Sequence, residues 1–296
     1  MGVCQRCGSF TCLQCRQLNP QFCPKCAERR AAFFFNRDNL HIIDLLSATW
    51  NNAFKPYWVE LSVAAFLTTL IPSIVSYILQ IPIFFLGMGD GMMGKGAGAG
   101  AAAVTGLAVL TMGFAVVAAL VQILLQMSLQ RGLVEMAHAA WNGHRPAFGV
   151  LFNFKAGLKV VAASWLVGLP AVVLIAMLAI LMVSVITLKS TLILALGVFL
   201  IVSVSLALGI WLLPTVLLMQ PFAENPDIGI MEGIRLCFER GRGQRLNIFL
   251  VALMSGFLIL LGFFALCIGV IPAMGLAFSY QTGLWKALST PGASSA

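Results

Sequence analysis

Six cysteines crowd the first 26 residues. The stretch CQRCGSFTCLQCRQLNPQFCPKC, Cys4 to Cys26, sets six of the chain's eight cysteines in three Cys-x2-Cys pairs. Two thiolates two residues apart on a tight turn can face one ion. A second such pair completes a tetrahedral sulfur site, the usual geometry of structural zinc. The thiolates lose their protons on binding, so metal affinity becomes folding energy for a head too small to build its own core. The spacing leaves the ligand set open. Cys4, Cys7, Cys23 and Cys26 give C-x2-C-x15-C-x2-C, a zinc spacing, with Cys12 and Cys15 spare. Cys12, Cys15, Cys23 and Cys26 give a shorter loop with Cys4 and Cys7 spare. A binuclear cluster sharing thiolates uses all six. The expectation is one Zn2+, with all six cysteines as candidate ligands and His41 as a further donor for a second site. Thiolate-only ligation also admits an iron–sulfur cluster, and Cys-x-x-Cys pairs can exchange disulfides. Cys237 and Cys267 stand alone and read as packing residues.

Other motifs carry less chemistry. GDGMMGKG, Gly89 to Gly96, approaches the phosphate-binding pattern G-x4-G-K-[ST] but ends in Gly96, where magnesium needs a hydroxyl, and no strand precedes it. It reads as a Gly-rich hairpin loop running to Gly100. Glu135 and His138 are three apart and share a helix face. A hydrolase needs base, nucleophile and electrostatic clamp in one cleft, and this pair alone does not make one. No catalytic constellation is expected.

The elements that carry these residues follow from composition. Of 296 residues, 60% are hydrophobic and 9% charged, against about 25% charged in an ordinary soluble domain. Mean hydropathy is +0.97. A soluble enzyme and a secreted disulfide scaffold are excluded as whole-chain readings. The expected class is an all-α integral membrane bundle with a small polar head.

Charges leave long gaps, from Glu60 to Asp90, Lys95 to Arg131, Lys159 to Lys189, Lys189 to Glu224 and Arg245 to Lys286. A bilayer core takes about 20 apolar residues in a helix. The first four gaps each hold one span, near 61–86, 102–127, 160–186 and 191–217. The fifth is too long for one helix and carries a break at Gly269 and Pro272. It gives spans at 247–267 and 271–287, six in all, or five if Pro272 only kinks a tilted helix. The stretches do not alternate as barrel strands do, and no cleaved signal peptide is visible.

Basic residues fix the expected orientation. Residues 1–59 carry Arg6, Arg16, Lys25, Arg29, Arg30, Arg37 and Lys55. Arg131, Arg145, Lys155 and Lys159 follow the second span, and Arg235, Arg240, Arg242 and Arg245 follow the fourth. The opposite loops hold Lys95 and Lys189. Cytosolic loops are the basic ones, so the N-terminus is expected in the cytosol, whose reducing poise keeps the head's thiols free for metal. The domains are then a cytosolic Cys-rich zinc-binding head at 1–32, a six-span membrane domain at 38–288 and a flexible tail at 289–296.

Three segments look alike, starting at Ile43, Leu133 and Ile228. Each has a short amphipathic helix, a polar or basic turn and then a span, with Trp-Asn recurring at Trp50-Asn51 and Trp141-Asn142. Such helices can lie flat at the headgroups, and Trp50, Tyr57, Trp58 and Trp141 suit that depth.

LVEMAHAAWNGHRPAFGVLFNFKAGL from Leu133, WLLPTVLLMQPFAENPDIGIMEGIRLCFERGRGQRLNIFL from Trp211 and GFFALCIGVIPAMGLAFSY from Gly262 carry a family likeness. The region from Asp38 to Leu288 resembles poorly characterised prokaryotic six-span membrane proteins. These include the DUF975-like and DUF4013-like families and the membrane domain found beside some glycerophosphodiester phosphodiesterases. The resemblance implies a six-span protein of the prokaryotic cytoplasmic membrane. The phosphodiesterases' catalytic domain is missing, so their activity does not carry over. The Cys head resembles zinc ribbons and B-box-like fingers, and departs from the latter in lacking their histidines.

The expected function is a non-catalytic membrane scaffold or assembly protein whose zinc-stabilised head binds a cytosolic or membrane protein partner. The alternative is a transporter or channel for lipid or a small amphiphile. Membrane lipids are expected partners. Small residues from Gly96 to Ala103 permit self-association. Nucleic acid is not expected, because the head's few basic residues serve equally for the positive-inside bias and for anionic lipid.

Overall fold

A computed structural model of the chain describes residues 2–3, 10–11, 35, 37, 40–93, 101–188, 191–265 and 269–290. The fold is all-helical in its body. The helices are α1 (Ile42–Ala48), α2 (Trp58–Met93), α3 (Ala101–Trp141), α4 (Phe154–Leu188), α5 (Thr191–Leu212), α6 (Met219–Glu224), α7 (Ile230–Gly241), α8 (Arg245–Phe264) and α9 (Val270–Ser289). Near the N-terminus, β1 (Gly2–Val3) pairs antiparallel with β2 (Phe10–Thr11), with Val3 opposite Phe10. These strands flank Cys4 and Cys7 in sequence. The six cysteines from Cys4 to Cys26, and Cys267, lie outside the described residues.

Among the described residues, α-helix runs through most of every stretch read as a span. Four helical segments among the described residues are long and apolar enough to cross a membrane, Ile42–Ile81, Met112–Trp141, Val202–Glu224 and Arg245–Phe264. The break in the fifth charge gap is real. Ala265 leaves helical geometry at ψ 53, and α9 restarts at Val270 with Pro272 in its first turn. Proline fits there because a first-turn N–H has no intrahelical acceptor to lose. Pro214 likewise opens a 3-10 turn, Leu213–Leu217. In contrast, α2 continues through Gly89–Met93, so part of the expected Gly-rich loop is helix.

Burial is polarised along the bundle. One core joins Leu45, Val160, Leu217, Phe222, Ile228, Cys237, Ile248, Tyr280, Leu284 and Trp285. A second joins Phe54, Tyr57, Leu61, Leu129, Leu133, Met136, Leu151 and Leu276. Both sit where the helices meet the basic connections. Farther along the same helices large apolar side chains are bare, among them Tyr77, Met112, Phe199 and Phe264. An aqueous fold does not expose so contiguous an apolar surface. Lipid accounts for it, and the structure is that of a membrane protein. Helix α9 is the most enclosed, with nearly every residue from Gly275 to Leu288 buried, packed against α8, α2 and α3.

The three look-alike segments part company at their turns. The second ends α3 in a Schellman motif. Gly143 takes φ 75, its N–H bonds Ala140 O, and the His144 N–H bonds Ala139 O, which closes the last helical carbonyls. The third turns at Gly243, φ 78. The first does not turn. Asn52 stands after Trp50-Asn51 where the second segment has glycine, and the chain continues as a π-helix, Thr49–Phe54, then a 3-10 turn, Lys55–Tyr57, into α2. A left-handed residue is cheapest for glycine and costs asparagine more. The third segment's helix, α7, is amphipathic at helical spacing. Gly233, Cys237 and Gly241 are buried, while Glu232, Arg235 and Glu239 face outward, with Arg235 and Glu239 paired at 2.6 Å.

Candidate functional site

The basic end of the bundle gathers most of the polar side chains that reach inward. One face of α3 presents Arg131, Glu135 and His138 in successive turns, and α6 crosses it. Arg131 is fully buried. Its Nε donates to Phe222 O at 3.2 Å, and its Nη2 lies 2.6 Å from Glu135 Oε2. A guanidinium this deep is costly unless paired and bonded; the α6 carbonyl bonds Nε and the carboxylate faces it at ion-pair distance, while Nη1 and Nη2 make no hydrogen bond within the described residues. His138 Nε2 lies 2.9 Å from Gln220 Oε1.

A second cluster closes the other side of α6. Glu224 Oε2 accepts from Trp285 Nε1 at 2.8 Å and from Arg240 Nη1 at 3.1 Å. The Arg240 guanidinium also lies 4.2 Å over the Trp285 ring, a cation–π contact. Lys159 Nζ donates to Pro226 O at 2.8 Å and Ile228 O at 3.1 Å, tying α4 to the loop before α7. Lys286 binds Asn142 Oδ1, and Arg145 pairs with Glu60 at 3.3 Å.

The Arg131–Glu135 pair lies within α3; the other bonds each join two elements. Glu135 and His138 share a face as expected, but they serve separate partners, Arg131 and Gln220. The arrangement clamps α3, α4, α6, α7 and α9 into one body.

The aromatic residues expected at the headgroups divide in two. Trp50 and Trp58 are exposed and line an apolar groove of about 470 Å3 with Lys55 and Pro272. Tyr57 and Trp141 point inward. The Tyr57 hydroxyl donates to Gly143 O at 3.0 Å, and Trp141 Nε1 donates to Ser279 O at 2.7 Å. Sequence alone gave these two no inward role, because each partner is a backbone carbonyl far along the chain.

Among the described residues no group of three or more His, Cys, Asp or Glu side chains could hold a metal. His41 precedes α1 and is exposed. Cys237 is a buried packing residue whose Sγ lies 3.7 Å from Leu217 O, and burial pushes its thiol up to about 12.

One polar cluster lies inside the apolar belt. Ser76 Oγ donates to Gln122 Oε1 at 3.3 Å and receives Gln80 Nε2 at 3.2 Å. With Ala115, Ala118 and Ala119 they line a cavity of about 170 Å3 between α2 and α3. No protein-family profile, curated protein or solved structure matches this chain.

Proposed function

We propose that the chain is a non-catalytic membrane scaffold, a six-span bundle that carries a zinc-stabilised, protein-binding head on its cytosolic face. The observation that carries this reading is the engagement of the polar groups at the basic end. Arg131, His138, Lys159, Glu224 and Arg240 all serve as ties between helices, which is the chemistry of a rigid platform. The basic bias of the same end supports a cytosolic orientation. Residues 38–288 keep their resemblance to the prokaryotic six-span families as part of the proposal.

The head's donor set suits zinc. Six thiols in Cys-x2-Cys pairs favour a borderline-soft ion in tetrahedral sulfur, and the β1–β2 pairing closes a short connection that carries Cys4 and Cys7. In the cytosol the metal would supply structure rather than reactivity, holding a binding surface in one shape.

The test is metal and thiol content of the intact protein, purified anaerobically in detergent, followed by in-cell cross-linking from the head. One zinc per chain, with cross-links to a defined partner that vanish in Cys23→Ser/Cys26→Ser, is the expected result. Iron with visible charge-transfer bands, or thiols that cycle to disulfides without metal, would replace the scaffold with redox chemistry.

The second reading, a transporter for lipid or a small amphiphile, draws on the Ser76–Gln80–Gln122 cavity, since polar groups in an apolar belt mark substrate paths. Flux in reconstituted liposomes that Gln122→Leu abolishes would favour it over the scaffold.

A further inference from the structure

Helices α5 and α8 both pack against the Leu213–Leu217 turn, and beyond it their facing sides form an open groove. Its volume is about 640 Å3, and Leu206, Gly209, Ile210, Leu213, Arg245, Leu246 and Phe249 line it. We infer that this groove binds one anionic phospholipid, with an acyl chain lying between α5 and α8 and the phosphate held by the Arg245 guanidinium. The proposal concerns the membrane domain alone and does not depend on the head or on the scaffold reading.

Three observations carry it. The first is depth. Arg245 is the first residue of α8, and no charged residue follows it through Phe264. A lipid whose chain fills the groove therefore sets its phosphate at the one cationic side chain on the groove's wall. The second is charge. Arg245 is exposed, and among the described residues no carboxylate pairs with it. The other arginines that reach inward at this end, Arg131 and Arg240, are taken by Glu135 and Glu224. A planar guanidinium matches two phosphate oxygens at once. The third is shape. A Cβ on Gly209 would meet nothing within 4 Å, so the α5 wall is recessed there. The rims are bare side chains, Leu206 at 66% exposure and Leu246 at 69%. The volume falls in the range of small-ligand sites, roughly 300–1,000 Å3.

Native mass spectrometry of the full chain in detergent tests the site. Phosphatidylglycerol and phosphatidylcholine with identical acyl chains are titrated separately, with inorganic phosphate as a competitor. The expected result is one phosphatidylglycerol retained per chain in preference to phosphatidylcholine. Arg245→Gln should lower that retention about five- to tenfold, to the phosphatidylcholine level, and Arg245→Lys should recover part of it. Gly209→Phe should fill the groove and lower retention of both lipids. Gly209→Leu is the smaller filler if the phenylalanine variant aggregates. Full retention in both Arg245→Gln and Gly209→Phe would overturn the site. So would equal retention of the two lipids by the unaltered protein. Displacement of phosphatidylglycerol by millimolar inorganic phosphate would assign Arg245 to free anion and overturn the lipid assignment.

Discussion

Trp141 closes on Gly283. A Cβ at position 283 would sit 2.6 Å from Trp141 Cζ2, and one turn earlier on α9 the Ser279 carbonyl accepts the same indole's N–H at 2.7 Å. The indole's Nε1 edge thus meets a helix face that only glycine leaves bare, and it locks the C-terminal turn of α3 to the most enclosed helix.

Gly283→Ala should therefore destabilise the fold by about 1–3 kcal/mol, the usual cost of forcing atoms into a packed site. Trp141→Phe keeps most of the ring but removes the indole's bond to Ser279 O, which keeps its helical donor, and should cost about 0.5–1.5 kcal/mol. Thermal unfolding in detergent reads both. If Gly283→Ala melts with the unaltered protein, the contact does not hold the bundle together.

The buried ion pair makes a sharper claim. Arg131 is fully buried, while Glu135 keeps 26% of its side-chain surface in contact with solvent. Arg131→Met removes the charge that Glu135 faces and leaves Phe222 O without its donor. A loss of about 3 kcal/mol is expected. Arg131→Met/Glu135→Leu should recover most of it, because an apolar pair of similar volume carries no desolvation cost. A double variant as unstable as the single one would place the whole effect in the Phe222 bond.

Much of the membrane domain was legible because its signal is local. A charge in hydrocarbon is expensive wherever it lies, so the gaps between Glu60 and Asp90 or Arg245 and Lys286 announce apolar helices without tertiary information. The break near Gly269 was legible for the same reason, since Pro272 acts on its own backbone. Arg131 and Glu135, four apart, were available as a helical pair, yet nothing in their spacing said that α6 would bury Arg131. Glu224 with Trp285, Tyr57 with Gly143 and Trp141 with Ser279 were not legible. Each joins residues from 61 to 138 positions apart, and two of the three use a main-chain acceptor that any residue offers. The first look-alike segment misled as well. Its Trp-Asn pair matched the second, but the turn depends on Gly143, and Asn52 leaves the chain helical.

Gly143, which is buried, and Gly243, which is exposed, should not tolerate a side chain as an ordinary turn position does. Both hold positive φ, 75 and 78, where an L side chain meets its own carbonyl. Gly143→Ala and Gly243→Ala should each cost about 1 kcal/mol. Gly149→Ala, which meets nothing within 4 Å, should be neutral. Gly143→Asn should restore part of the loss, since asparagine tolerates that conformation. Equal melting of all four variants would remove the capping role of these turns.

Cys237 separates structural from reactive sulfur. Burial lifts its thiol from the ordinary 9.0 to about 12, and the thiolate is the reactive form. At pH 8 it should resist a maleimide until the protein unfolds, whereas on the proposed zinc reading the head's thiols should label once a chelator is added. Peptide mapping distinguishes the two groups. The same shift predicts a pH dependence. Between about pH 9 and pH 12 the unfolded chain gives up this proton and the folded chain keeps it. The contribution is intact below about pH 9 and is lost as pH rises toward 12. Cys237→Ala should flatten that decline in unfolding measured across the window. An unchanged decline would move its cause to other groups, and rapid labelling of Cys237 in the folded protein at pH 8 would show that the sulfur is not enclosed between α7 and the Leu213–Leu217 turn.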